Sequence, residues 1–217
     1  MFIVEKEPKS IAAESYRTLR TNIQYSSFDK EYKVIMVTSS EPTEGKSTTA
    51  GNLALCLAQG GKKVILVDCD LRKPSLHKKF KISNLVGLSD VIIGKEDFDS
   101  SVHKHNSNLV ILTSGKIPPN PSEMLSSKAM ENLLEDLKTK FDYIVLDTPP
   151  VQAVTDSQVL AAKADGTIIV IKAEKTKKDS VQSAINLLKK VNANIIGTVL
   201  NGIDNSRSKY YYYYGDN

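Results

Sequence analysis

The sequence has no run approaching the roughly eighteen consecutive apolar residues of a membrane-spanning helix. Its first residues carry Glu5, Lys6 and Glu7 where a signal peptide would be apolar. The chain is therefore expected to be cytosolic and unanchored. Cysteine is scarce: Cys56 and Cys69 show none of the paired spacing of a zinc site or thiol redox motif, so reduced, buried thiols are expected. Histidine is scarce as well. His103 and His105 alternate around Lys104 with no cysteine or carboxylate cluster at ligand spacing, which argues against a metal role and for surface positions. The net charge of +4 is too small to announce nucleic-acid binding. The basic residues Lys172, Lys175, Lys177 and Lys178 read as a solvated face.

What is present is a soluble-type composition, 41% hydrophobic and 25% charged over 217 residues, enough for one sizeable core. Short apolar runs bounded by turn or charged residues predict strands at Val34–Thr38, Val64–Asp68, Leu109–Thr113, Tyr143–Asp147, Thr167–Lys172 and Ile195–Asn201. Helical spacing falls between them at Lys46–Gln59, Ser122–Lys140, Asp156–Lys163 and Ser180–Val191. The alternation predicts an α/β fold with a mainly parallel central sheet and helices on both faces, a three-layer sandwich whose ligands gather beyond the carboxyl ends of the strands. Ser10–Gln24 precedes it as an amphipathic helix, with Ala12, Tyr16, Leu19 and Ile23 on one face and Glu14, Arg17 and Arg20 as a charged stripe. It reads as an appendage to the α/β unit. The expected organisation is one domain over residues 1–209 and a mobile tyrosine-rich tail over 210–217.

The strongest local signal is the first strand running through Ser39-Ser-Glu-Pro-Thr-Glu-Gly45-Lys46-Ser47-Thr48 into a helix. This is a P-loop pattern: backbone N–H groups surround phosphate oxygens, Lys46 neutralises the outer phosphates, and the Ser47 hydroxyl ligates Mg²⁺. Thr48 adds a hydroxyl donor to the inner phosphate. Ser40 stands where the general motif has its first glycine. Two further strands end in carboxylates, Asp68 and Asp70 before Arg72-Lys73-Pro74, and Asp147 before Thr-Pro-Pro. Acids at strand ends beside a phosphate loop hold Mg²⁺ directly or through its waters. Taken singly, each aspartate is also compatible with a turn or helix cap.

Together these segments resemble the bacterial tyrosine kinases, the family coupled to exopolysaccharide and capsule export, from about Ser10 to the end. Thr38–Thr48 resembles that family's Walker A segment, Val64–His77 its Walker A′ and Ile144–Pro150 its Walker B, and Gly115–Glu123 matches a further signature. Glu14, Arg17 and Arg20 match its E-x-x-R-x-x-R element, which implies a ring-like homo-oligomer. Taken alone, that stripe is an exposed ion-pair face. Five of the nine tyrosines stand side by side as Tyr210, Tyr211, Tyr212, Tyr213 and Tyr214. The resemblance makes them phosphoacceptors, whereas composition alone reads a sticky tail. Thr43 departs from the family, which usually has glycine there. If that position needs positive φ, a β-branched residue costs about 1–2 kcal/mol, weakening nucleotide binding without abolishing it.

The reading is an ATP- and Mg²⁺-dependent tyrosine autokinase in which Lys46, Asp68, Asp70 and Asp147 are catalytic. Thr43, Glu44, Gly45, Lys46, Ser47, Thr48 and Asn201 contact the nucleotide, Asn201 through the adenine edge, although an asparagine before Gly202 is equally compatible with a turn. Ser47, Asp70 and Asp147 serve the metal, and Asp68 is the candidate base. Arg72 and Lys73 either receive phosphate charge or face solvent. The resemblance further implies phosphorylation in trans within a ring and a transmembrane adaptor of polysaccharide export that recruits the chain to the inner face of the membrane. No nucleic-acid partner is expected from the small net charge, with DNA binding kept as a minor alternative. The alternatives are a partition-type ATPase switch that hydrolyses ATP with water, and a non-catalytic scaffold.

Overall fold

The computed structural model describes residues 2–26 and 31–203. The strands are β1 (Val34–Ser39), β2 (Val64–Asp68), β3 (Val102–Lys104), β4 (Leu109–Leu112), β5 (Tyr143–Asp147), β6 (Gly166–Lys172) and β7 (Ile195–Asn201). The helices are α1 (Ile3–Lys6), α2 (Ile11–Ser26), α3 (Lys46–Gln59), α4 (Leu76–Phe80), α5 (Leu88–Ile92), α6 (Phe98–Ser101), α7 (Pro121–Ser126), α8 (Lys128–Lys140), α9 (Asp156–Ala161) and α10 (Lys178–Lys190). They surround a sheet of order β3-β4-β2-β5-β1-β6-β7. All pairings are parallel except β3 against β4. The expected three-layer α/β architecture is the one found.

The period-2 alternation of strand side chains sorts the core into two halves. Ile35, Val37, Leu66 and Val145 point to the face covered by α1, α2 and α3. Val34, Met36, Ile65, Val67, Ile144 and Leu146 point to the face covered by α8, α9 and α10. A strand buried on both faces must be apolar at every position, which is why these strands read as continuous runs. Both cysteines are buried and free, as expected.

The N-terminal helix is part of this core. Its buried positions are Ala13 and Ile23, so Ala13, one residue along from the expected Ala12, faces inward, while Tyr16 and Leu19 pack at the margin. Ahead of it, Phe2 lies on Gly51 of α3 so closely that a Cβ there would sit 2.1 Å from the ring. The Val4 N–H donates to Asn52 Oδ1 at 3.2 Å. The helix is therefore docked on α3 and is no appendage. His105 is likewise engaged, at 2.6 Å from Glu5 Oε1 and edge-on to Phe80.

The expected helix Ser122–Lys140 is two helices. Ser127 adopts extended backbone (φ −64°, ψ 158°), and its hydroxyl accepts from the Met130 N–H at 3.2 Å. The apolar period continues across the break, so periodicity alone joins the two segments, but the serine side chain caps α8. Ser127→Ala is expected to cost about 1 kcal/mol, measured as a lowered urea midpoint at unchanged slope.

Candidate active site

Strand register brings the acids together. β5 lies between β1 and β2, which pairs Asp147 with Val37 on one side and with Asp68 on the other. The chain leaves β1 through the loop 40–45 and enters α3 at Lys46. Lys46 Nζ lies 2.9 Å from Asp70 Oδ2, 3.2 Å from Ser47 Oγ and 3.6 Å from Asp147 Oδ1. Burial alone would lower the lysine pKa, but the surrounding carboxylates, Asp147 and Asp70 foremost, outweigh it and keep the ammonium charged.

The acids differ in state. Asp147 is fully buried, and neither of its oxygens has a hydrogen-bond partner. Burial raises its pKa, which the Lys46 ammonium and the nearby Ser47 hydroxyl oppose. Asp68 is also fully buried and is pushed up to about 7, first by burial and then by the negative charge of Asp147. Its Oδ2 accepts from the Ser75 and Leu76 N–H groups at 3.1 and 3.0 Å, and its Oδ1 accepts from the Asp70 N–H at 3.2 Å. Asp70 faces the cleft, with Oδ1 accepting from the Lys73 N–H at 3.0 Å.

The cleft has a volume of about 630 Å³ and is lined by Thr43, Gly45, Lys46, Ser47, Thr48 and Asp70, facing Arg72, Lys73, Lys79 and the Pro149-Pro150 turn. That size suits a nucleotide-scale ligand. Asp68 and Asp147 lie behind this lining. Orphaned oxygens on a buried carboxylate, beside a serine hydroxyl and a second acid, are the donor set of a hard cation, and Mg²⁺ fits them. Among the described residues no group of three or more His, Cys, Asp or Glu is arranged to hold a metal by itself. The hydroxyl of Ser47 and the phosphates of a nucleotide are therefore needed to complete its shell.

The phosphate loop is shaped from outside. Glu44 points away from the cleft, its Oε2 accepting from the Glu41 N–H at 2.9 Å while the Thr176 hydroxyl donates to Oε1. Asn201, at the end of β7, donates from Nδ2 to the Glu44 carbonyl at 2.9 Å. It packs so tightly that a Cβ on Gly45 would sit 1.9 Å from that nitrogen. Gly45 (φ 102°) and Thr43 (φ 66°) both occupy the left-handed region, and Lys175 Nζ donates to Thr43 Oγ1 at 3.2 Å. Thr43 thus pays the strain expected of a β-branched residue there.

Two side chains not singled out in the sequence, Lys79 and Asp156, also belong here, the second as the partner of Arg72. Lys79 Nζ donates to Thr48 Oγ1 at 3.0 Å. Arg72 makes a bidentate pair with fully buried Asp156, Nε to Oδ2 at 2.9 Å and Nη2 to Oδ1 at 3.1 Å. No sequence spacing links these partners. The stripe on α2 lies elsewhere. Glu14 pairs with Arg17 at 2.7 Å, and Arg20 Nη1 donates to the Cys56 carbonyl at 3.1 Å, in the last turn of α3 remote from the phosphate loop. Tyr210–Tyr214 lie outside the described residues.

The AAA domain family matches residues 32–200. The tyrosine-protein kinase YwqD of Bacillus subtilis (strain 168) is 46% identical over 98% of this chain and 90% of its own length. Among solved structures, the kinase domain of the Escherichia coli tyrosine kinase ETK superposes with a TM-score of 0.91 at 31% identity, covering 100% of this chain and 85% of that one. The chimerical protein CapA2B2 gives 0.88 at 38% identity, over 92% and 88%.

Replacing Thr43 by glycine removes the left-handed strain and only an exposed hydrogen bond. Thr43→Gly is expected to raise unfolding stability by about 1 kcal/mol, checked by urea denaturation without nucleotide.

Proposed function

We propose a phosphoacceptor and a division of labour for this chain, which belongs to the bacterial tyrosine-protein kinase family. It transfers the γ-phosphoryl group of ATP to the tyrosines at the C-terminus of a neighbouring copy. The observation that carries this reading is the Lys46 ammonium held against Asp70 and Asp147 at the floor of a nucleotide-sized cleft, with two orphaned Asp147 oxygens behind it.

The residues divide the work as phosphoryl transfer requires, mainly positioning and charge neutralisation. Lys46 exchanges its carboxylate partners for the outer phosphates, and the loop N–H groups from Thr43 to Thr48 receive the remaining phosphate oxygens. Ser47, Asp70 and Asp147 would hold Mg²⁺, which would supply neutralisation of the charge on the outer phosphates. The phenol oxygen of the incoming tyrosine forms the new bond to phosphorus, the bond to the β-bridging oxygen breaks, and ADP leaves. Asp68 is assigned the phenolic proton, which requires its fully buried carboxyl to open toward the cleft from behind the lining. Its elevated pKa brings it closer to a phenol than an ordinary carboxylate, and Oδ1 carries only one weak N–H contact. Asn201 has its amide N–H engaged on Glu44, which leaves Oδ1 to accept from the adenine amine.

Glu14 and Arg17 expose a paired charge on α2 for contact with a neighbour, and Arg20 fixes that helix to α3. Among the described residues no helix is long and apolar enough to cross a membrane. We place the chain at the inner face of the membrane through a transmembrane adaptor, within a ring of copies that regulates capsule or exopolysaccharide export. A partition-type switch would need no tyrosine tail, and the kinase identity of the relatives favours phosphotransfer over hydrolysis.

The test is intact mass and anti-phosphotyrosine reactivity after incubation with Mg-ATP. Phosphate is expected on the full chain, absent from Lys46→Met and largely lost from a chain ending at Lys209. Steady ATP hydrolysis with no phosphotyrosine, even with an adaptor tail added, would falsify the kinase reading.

The base assignment sets a pH dependence. Because the Asp68 pKa is raised, the carboxylate is protonated and idle below about pH 7 and competent above it. kcat/KM for tail phosphorylation should climb with pH through about 7 and then level. In Asp68→Asn that limb should vanish together with about a hundredfold of the rate.

A further inference from the structure

A second concavity adjoins the nucleotide cleft. It has a volume of about 720 Å³, shares Arg72, Lys73 and Ser75 with the cleft, and runs past Lys78 to Lys116. Arg72, Lys73, Lys78 and Lys116 are cations, and no carboxylate lines the groove. Arg72 is engaged by Asp156, but Lys73, Lys78 and Lys116 have no ion-pair partner among the described residues. Two side-chain atoms along the groove, Ser75 Oγ and His77 Nδ1, are buried without any hydrogen-bond partner. Leaving such atoms unmade is costly, and native structures seldom do so without a ligand, water or ion to meet them.

The far wall is held rigidly. Asn84 clamps the backbone of Gly115, donating to its carbonyl at 2.9 Å and accepting from its N–H at 3.1 Å, and it also accepts from the Ser114 hydroxyl at 3.1 Å. Ser89 Oγ donates to the Lys116 carbonyl at 2.8 Å. The loop backbone is thereby fixed while Lys116 and Ile117 stand exposed, Ile117 at 64%. The groove thus offers unpaired cations and one apolar rim residue, with two unsatisfied polar atoms buried in its wall, in a recess continuous with the cleft.

We propose that this groove binds a phosphotyrosine of the C-terminal tail of a second copy, a residue already modified in the cleft, while another tyrosine of the same tail occupies the cleft. The inference rests on the kinase reading above. A phosphotyrosine supplies a near-dianion for the lysines and a ring for Ile117. Five consecutive tyrosines, at about 3.3 Å per extended residue, let one strand of tail reach both recesses. The continuity with the cleft favours this occupant over a membrane, which would meet a flat cationic face. Each phosphate added then anchors the tail for the next transfer.

The test uses the full-length Lys46→Met chain and two synthetic peptides of residues 204–217, one unmodified and one phosphorylated on Tyr212, compared by fluorescence anisotropy. The phosphopeptide should bind about tenfold more tightly, and Lys78→Ala with Lys116→Ala should remove that preference. In the active chain the same double variant should leave the first phosphate's rate unchanged and slow the later ones, read as an intact-mass time course. Equal affinity for the two peptides, or a preference that survives the double variant, overturns the proposal. Lysine-dependent binding to anionic phospholipid vesicles with no preference between the peptides overturns it in favour of a membrane contact. Because the peptide phosphate is synthetic, the binding result is independent of whether this chain phosphorylates its own tail.

Discussion

The Lys46 ammonium in its nest of carboxylates is the interaction on which the rest of the structure turns. Two acids within reach of one lysine, with a third behind them, are tolerable only because strand register fixes them at the ends of adjacent buried strands. Each charge is largely removed from water, so each is costly without its neighbours. The raised pKa of Asp68 and the raised lysine pKa are two expressions of this crowding. A site so arranged has a negative surplus, three carboxyl groups crowding one lysine ammonium.

Around that centre, the phosphate loop is held by contacts from far along the chain. Thr176 and Asn201 both act on Glu44, one through its carboxylate and the other through its carbonyl, and Lys175 reaches Thr43. Those residues belong to the β6–α10 connection and the end of β7, strands on the same side of β1. That edge of the sheet is thus tied directly to the phosphate loop. The strain at Thr43 is sustained because these external contacts over-determine the loop. On the other side, Asp68 fastens the start of α4 and Asp156 fixes Arg72, so the basic wall of the cleft is positioned by buried acids.

The alternation of strands and helices was readable because a doubly covered parallel sheet forces apolar residues into every position of its inner strands. The predicted strand limits agree with β1, β2, β4, β5, β6 and β7 to within a residue. The short edge strand β3 and the small helices from α4 to α6 were not readable, since three to five residues carry too little period to distinguish them from loops. The break at Ser127 was invisible for a different reason: a capping serine inside an unbroken apolar period becomes a cap only when the backbone turns there. Ala12 and Ala13 are indistinguishable by hydrophobicity, and only the packing of α2 on α3 chooses between them.

By itself, the sequence determined the phosphate loop, the identity of the three acids and the parallel order of chain segments that carries them to one edge. Local chemistry suffices for these, because Gly-Lys-Ser and strand-terminal aspartates have their meaning within a few residues. The tertiary structure decided which acid is exposed to the cleft and which are buried, that Asn201 braces the loop from beneath, that Asp156 sets Arg72, and that Lys78 and Lys116 face one groove. These are relations between residues tens of positions apart. No periodicity encodes them, and they exist only once sheet order and register have brought the segments into contact.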